Sequence, residues 1–191
     1  AAEEELGDRG GLTRGSISIG ATETALNIFL LEKLKSFHME YPGIRLKLYN
    51  HSTPQAVEAV KSGKIEFAVV TTPVEMKPPL KKIVLQSFRE ILVGGKTFTA
   101  LGSQVLSLAE VKNYPMICLG RETMTYQFYS QFFLKHCLEL TPDTEVATTD
   151  QILPLVKNEL GLAFLPEKIA EEAIARHEIV QIALQDPVPE R

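Results

Sequence analysis

The chain has 191 residues, 45% of them hydrophobic and 23% charged, an ordinary globular composition and enough length to bury a core without a disulfide or metal staple. Its formal net charge of −4 is uneven: residues 1–95 carry 12 Lys/Arg against 11 Asp/Glu, whereas residues 96–191 carry 8 against 13. Neither half has the basic excess that binding a phosphate backbone requires. No apolar run approaches the roughly 18 residues of a membrane span, and Cys118 and Cys137 lack metal-ligand spacing and read as two core thiols. The chain itself is therefore expected to contact neither nucleic acid nor membrane and to hold no metal.

Residues 1–11 are acidic and then glycine-rich, a tail. Alternation over Ser16–Gly20 predicts a strand, and Leu26, Leu30, Leu34, Phe37 and Tyr41 then recur at helical spacing until Pro42-Gly43 stops them. Ile44, Leu46 and Leu48 alternate with polar neighbours, a strand with one buried face. Thr53 can cap the next helix, with Pro54 at its first position and Gly63 past its end. Ile65–Thr71 is nearly continuous in apolar residues, as in the middle of a parallel sheet. Residues 16–71 thus read β-α-β-α-β, and such alternation implies a parallel sheet with helices on its faces.

Beyond the prolines at 73, 78 and 79, strands are expected over Lys82–Gln86 and Glu90–Gly94. Ser107 and Glu110 have the spacing of a capping box. A strand at Met116–Leu119, a helix over Tyr126–Leu138 and a strand at Glu145–Thr149 follow, with Asp150 capping a helix through Glu159. Leu162–Leu165, Pro166–Arg176 and Ile179–Leu184 read strand, helix, strand. Two α/β lobes fit this rhythm and length.

In parallel α/β sheets ligands bind beyond the carboxyl ends of strands, where loops enter helices. The loops there are 21–24, 50–53, 71–72, 121–126 and 148–150, and most carry at least two hydroxyl residues. A hydroxyl can serve a small polar ligand without bringing charge; equally, Ser and Thr are simply good helix caps. Glu23 argues against a purely anionic ligand, and Arg121 alone reads as a surface residue. Of the four histidines only His51 sits in a site loop. There is no GxSxG elbow, GxGxxG fingerprint, GxxxxGK[ST] loop or HExxH pair, so neither catalysis nor a cofactor is expected.

The sequence around these loops resembles a known family. Gly15–Gly20 before a polar helix start, Tyr41-Pro42-Gly43-Ile44-Arg45-Leu46, Gly63-Lys64-Ile65-Glu66-Phe67-Ala68-Val69, and Glu159-Leu160-Gly161-Leu162-Ala163-Phe164-Leu165-Pro166 are similar, in order and spacing, to the effector-binding domain of LysR-type transcriptional regulators. Glu66 stands where that family usually has Asp, and Glu159 where it often has glycine. The resemblance runs from about Gly11 to Leu184. It implies two Rossmann-like α/β lobes joined by two crossover strands, a type 2 periplasmic-binding-protein-like fold. It assigns 1–14 to the remnant of a linker, 15–94 plus 185–191 to lobe I and 95–184 to lobe II. Ligand contacts carried over by position are Thr22, Thr24, Ser52, Thr125 and Thr149, with Thr71 or Thr72.

By this resemblance the chain senses a small polar metabolite, an organic or amino acid among the candidates, in the cleft between its lobes. It passes that state to a winged helix-turn-helix that precedes the domain in the family and lies outside this chain. DNA contact through that segment alone, a homodimer or homotetramer and a cytoplasmic location are implied as well, and the helix Ala25–Glu40 is the expected self-association surface. The alternatives are a free-standing solute-binding protein of a transporter, with the same fold, and a small α/β enzyme supported by architecture alone.

Overall fold

The computed structural model describes residues 14–191. All of the expected linker remnant, 1–14, except Arg14 lies outside the described residues. Contacts divide the chain into two compact units, 1–70 and 71–191.

The first unit is built on β1 (Gly15–Ala21), β2 (Ile44–Asn50) and β3 (Phe67–Val69), all parallel, in the order β2-β1-β3. Ile19 and Ala21 of β1 face a core completed by Ala25, Leu30 and Val69. Gly20 is needed for this closeness: a Cβ there would come within 2.6 Å of Ile65 Cδ1 and 3.2 Å of the His51 ring. The first helical stretch runs through α1 (Glu23–Ala25), a π turn (Leu26–Leu30) and α2 (Leu31–Glu40). The next helix is α3 (Thr53–Lys61), capped by Ser52 and not by the expected Thr53; Ser52 and Gln55 form a capping box. Two other expectations for this unit fail. Leu48, expected on a buried face, is 47% exposed, because β2 is an edge strand. The long strand over Ile65–Thr71 shrinks to three residues, which pair only with β1 among the described residues.

The second unit carries β4 (Glu90–Gly95), β5 (Val105–Leu106), β8 (Ala163–Pro166) and β9 (Ile179–Leu184) in the order β5-β9-β4-β8. Here β4 runs antiparallel to both its neighbours, while β5 and β9 are parallel. A parallel pair, β6 (Ile117–Leu119) and β7 (Thr144–Val146), joins through a bridge from Met116 to Leu162. The helices are α4 (Leu108–Val111), α5 (Met124–Lys135), α6 (Ile152–Lys157) and α7 (Glu167–Ala175). The Ser107–Glu110 capping box forms as expected. Before α6 the cap position is Thr148, not Asp150, and the N–H groups of Ala147 and Thr148 donate to Gln151 Oε1 at 3.0 and 3.2 Å. Lys82–Gln86 is not a strand: Ile83 and Val84 are 79% and 77% exposed. One core layer packs Phe132, Phe133 and Tyr129 of α5 against Leu92, Phe164 and Ile182; the other packs α6 and α7 against the opposite faces of β4, β6 and β8.

Gly161 of this unit cannot carry a side chain. A Cβ there would overlap the Pro115 carbonyl oxygen, which already accepts from the Leu162 N–H at 2.8 Å. That contact sets β8 against the start of β6.

Candidate functional site

In the first unit the three strand ends are drawn together at one edge. The Thr22 N–H donates to the Val69 carbonyl and the His51 N–H to the Ala21 carbonyl, at 3.2 and 3.0 Å, so the loops after β1, β2 and β3 are tied by backbone bonds. Thr22, with extended backbone, caps α1: its hydroxyl accepts from the Ala25 N–H at 3.3 Å. Ser52 does the same for α3, accepting from the Gln55 N–H at 3.4 Å. These two hydroxyls thus have structural work as caps. Thr24 differs. It is 5% exposed as a residue, but its hydroxyl oxygen is not one of the fully buried unpaired atoms, and it makes no hydrogen bond among the described residues. Glu23 is engaged laterally, its Oε1 accepting from Asn27 Nδ2 at 2.9 Å.

In the second unit three of the candidates meet around a residue that the sequence did not single out. The Arg191 guanidinium, with a side chain only 1% exposed, pairs with Glu90 Oε1 at 2.8 Å. Its Nε donates to the Thr72 carbonyl at 2.7 Å, and its Nη2 donates to the hydroxyls of Thr71 and Thr125 at 3.2 and 3.1 Å. The same group lies 4.9 Å from the Phe128 ring centre and 5.6 Å from that of Phe88, within cation–π range. Backbone bonds in both directions between Phe88 and Arg191, 2.8 and 3.0 Å, hold the residue in place. Glu90 Oε2 is buried without a partner. Burial, with the Glu90 charge adding to it and Arg191 opposing, holds the Tyr129 hydroxyl well above its usual range, so this neighbour stays protonated at neutral pH.

Thr71 is buried, Thr125 half-buried and Thr72 exposed. Thr149 begins a short 3-10 turn (Thr149–Gln151) and is half-buried, without a side-chain partner among the described residues. Thr123, which sequence reasoning passed over, caps α5: its hydroxyl donates to the Gly120 carbonyl and accepts from the Tyr126 N–H. Arg121 is exposed, 3.9 Å from Glu145, as its surface reading anticipates.

Other features of the second unit lie apart from these loops. A hollow of about 330 Å³ opens at the beginning of β6, lined by Lys112, Tyr114, Met116, Phe133, Leu140 and Asp143 among others; Thr123 and Thr125 lie past the opposite end of that strand. Cys118 is buried, and burial, then the charges of Glu145 and Asp143, push its thiol up to about 12. Cys137, expected in the core, is exposed, because it sits past the end of α5 with φ of 58°. Among the described residues no three His, Cys, Asp or Glu side chains gather as metal ligands, and no helix is long and apolar enough to cross a membrane.

Comparison with known proteins places this geometry in a family. A family model described as the LysR substrate binding domain matches residues 10–191. The transcriptional activator CmpR of Synechocystis sp. is 23% identical over 166 residues, 85% of this chain and 53% of that protein. The regulator SsuR of Burkholderia cenocepacia is 21% identical, over 78% of this chain and 47% of its own. The chain thus spans about half the length of these relatives. Among solved structures, the effector binding domain of QuiR in complex with shikimate superposes with a TM-score of 0.80 at 15% identity, over 94% of this chain and 85% of that one. The CcmR regulatory domain of Synechocystis PCC6803 in complex with 2-PG gives 0.79 at 14% identity, over 93% and 85%. The α/β fold is that of these effector-binding domains, which are type 2 periplasmic-binding-protein-like.

Proposed function

The chain belongs to the LysR substrate-binding domain family, a family of non-enzymatic effector-binding regulatory domains, and we propose that it senses a small polar metabolite through the hydroxyls that stand where its strands give way to helices. The observation that carries this reading is Thr24. Its hydroxyl makes no hydrogen bond among the described residues, so its donor and acceptor capacity are open to a ligand oxygen or nitrogen. Thr22 and Ser52 stand at the same edge of the first unit's sheet, and the remaining candidates, Thr71, Thr72, Thr125 and Thr149, belong to the second unit. The family resemblance divides the chain differently, into 15–94 with 185–191 and 95–184, which would count Thr71, Thr72 and Arg191 with the first part. Shikimate and 2-PG, seen with the QuiR and CcmR domains, support the ligand's size and polarity.

The wider reading is that of a regulator: a ligand preferring one arrangement of the domain over another shifts that equilibrium and so alters DNA binding by a winged helix-turn-helix elsewhere in the protein. Such a regulator acts in the cytoplasm and self-associates. Helix α2 supports the last point, since none of its ten residues is buried and Leu31 and Met39 are 47% and 75% exposed.

A thermal-shift screen of organic acids, amino acids and phosphorylated metabolites tests the proposal, because a ligand that binds only the folded state raises the melting temperature. Thr24→Val is expected to weaken a hit about fivefold, the loss of one hydrogen bond of about 1 kcal/mol. Unchanged affinity in a folded Thr24→Val protein removes the first loop from the site.

A further inference from the structure

The Arg191 cluster fixes not only where two candidate hydroxyls lie but which hydrogen-bonding role they play. A threonine hydroxyl can donate once and accept through its lone pairs. Thr71 and Thr125 each accept from the same nitrogen, Arg191 Nη2, at 3.2 and 3.1 Å. A guanidinium donates only and does not lose its proton, so each hydroxyl must turn its own proton away from it. Neither proton is given to an acceptor among the described residues. The guanidinium cannot swing aside, since Nε is held by the Thr72 carbonyl, Nη1 by Glu90, and one face by Phe128. The two threonines come from positions 54 residues apart in the chain, yet one planar group sets both.

We propose that Arg191 is a positioning residue that makes Thr71 and Thr125 a fixed pair of hydrogen-bond donors, so that this part of the site takes an acceptor group, a carboxylate or other oxyanion, and rejects an ammonium. The inference rests on the effector-site reading above and gives that site a chemical polarity which the bare list of hydroxyls lacks. Glu90 neutralises the guanidinium at 2.8 Å, so selectivity comes from directed O–H groups and not from net positive charge.

Methyl NMR of threonine-labelled protein tests this, with inorganic sulfate as the probe and methylammonium as the donor-bearing control, both at constant ionic strength. Sulfate is expected to shift the Thr71 and Thr125 methyl signals saturably, and methylammonium to leave them unmoved. Thr71→Val and Thr125→Val should each weaken sulfate about fivefold, and Thr125→Ser, which keeps the hydroxyl, should restore it. Arg191→Lys keeps the charge but not the planar fork, so it should lose the preference for sulfate over methylammonium. Should that variant fail to fold, Glu90→Leu combined with Arg191→Met removes the pair without stranding a buried charge and is expected to lose the preference likewise. Sulfate that leaves both methyls unmoved, or binds equally after the arginine is changed, overturns the inference. A metabolite hit that Thr24→Val weakens but Thr71→Val and Thr125→Val do not also overturns it, and leaves the effector-site reading standing. A hit indifferent to all three removes that reading instead.

Discussion

Residues of the same type carry different work in this chain, and their surroundings decide which. Of the hydroxyls at the strand ends, Thr22 and Ser52 accept from helix N–H groups, Thr71 and Thr125 accept from Arg191, and Thr24 is buried with none of these. Sequence alone shows five similar loops; it cannot show the difference, because a cap and a ligand contact favour the same side chains. Arg191 and Glu90 were still less legible. They are 101 residues apart, and a buried ion pair has no periodicity to betray it. A visible signal was Glu90 opening the otherwise apolar run Ile91-Leu92-Val93. The two thiols separate equally sharply. Cys118 is buried with its thiol pushed up to about 12, which at pH 8 leaves a thiolate fraction about a thousandfold below that of an ordinary thiol. Iodoacetamide at pH 8 should therefore modify Cys137 in the native protein while Cys118 reacts only after denaturation. Mass-spectrometric detection of native modification at Cys118 would show that its strand is not closed.

At the scale of elements, four helices end in the same way, and the sequence displays only one of them. After α3, α5, α6 and α7 the residue past the end has positive φ: Gly63 at 73°, Cys137 at 58°, Glu159 at 68° and His177 at 55°. Each is followed by an N–H that reaches back to the helix, as Lys64 to the Ala59 carbonyl, Leu138 to Phe133, Leu160 to Leu155 and Glu178 to Ala173. This is the Schellman closure, in which glycine is preferred because a Cβ strains the left-handed backbone. Gly63 announces its turn; cysteine, glutamate and histidine conceal theirs, which is why the sequence pattern carries α5 and α6 to Leu138 and Glu159, past their ends at Lys135 and Lys157. Gly63→Ala has open space around the new methyl, so any loss reports backbone strain alone, about 1 kcal/mol. Cys137→Gly relieves strain without removing a side-chain hydrogen bond and should raise the melting temperature by about 2–4 °C. Glu159→Gly should gain less, because the Glu159 carboxylate also accepts from the Thr97 N–H at 3.2 Å. Calorimetry on the three variants checks the order, and a stabilised Gly63→Ala would refute it. Strands were legible where a ladder partner exists. Ser16–Gly20 emerges within Gly15–Ala21 as its alternation indicates, and Ile179–Leu184 emerges as expected, whereas Lys82–Gln86, with three consecutive apolar residues, is not a strand. Alternation describes a surface that could be half-buried, and pairing decides whether it is.

For the molecule as a whole, the candidate hydroxyls are carried by two separately packed units. Each unit has its own core: one gathers Ile19, Ala21, Ala25, Leu30 and Val69, and the other surrounds β4 and β8. Each also has a hydroxyl without a protein partner among the described residues, Thr24 in the first and Thr149 in the second. Replacing either with valine removes no internal side-chain hydrogen bond, so the melting temperature of the free protein should change little. A hit that responds to both changes should lose about fivefold with Thr24→Val and about fivefold with Thr149→Val, one hydrogen bond each. Contacts that share no partner add within about 0.5 kcal/mol, so the double variant should bind about 25-fold more weakly. Isothermal titration of a screening hit against the four proteins measures this cycle. A hit that responds to only one of the two threonines removes the other from the proposed site. A ligand acts as a signal only where it binds one state of the domain more tightly than another, since only differential affinity shifts an equilibrium.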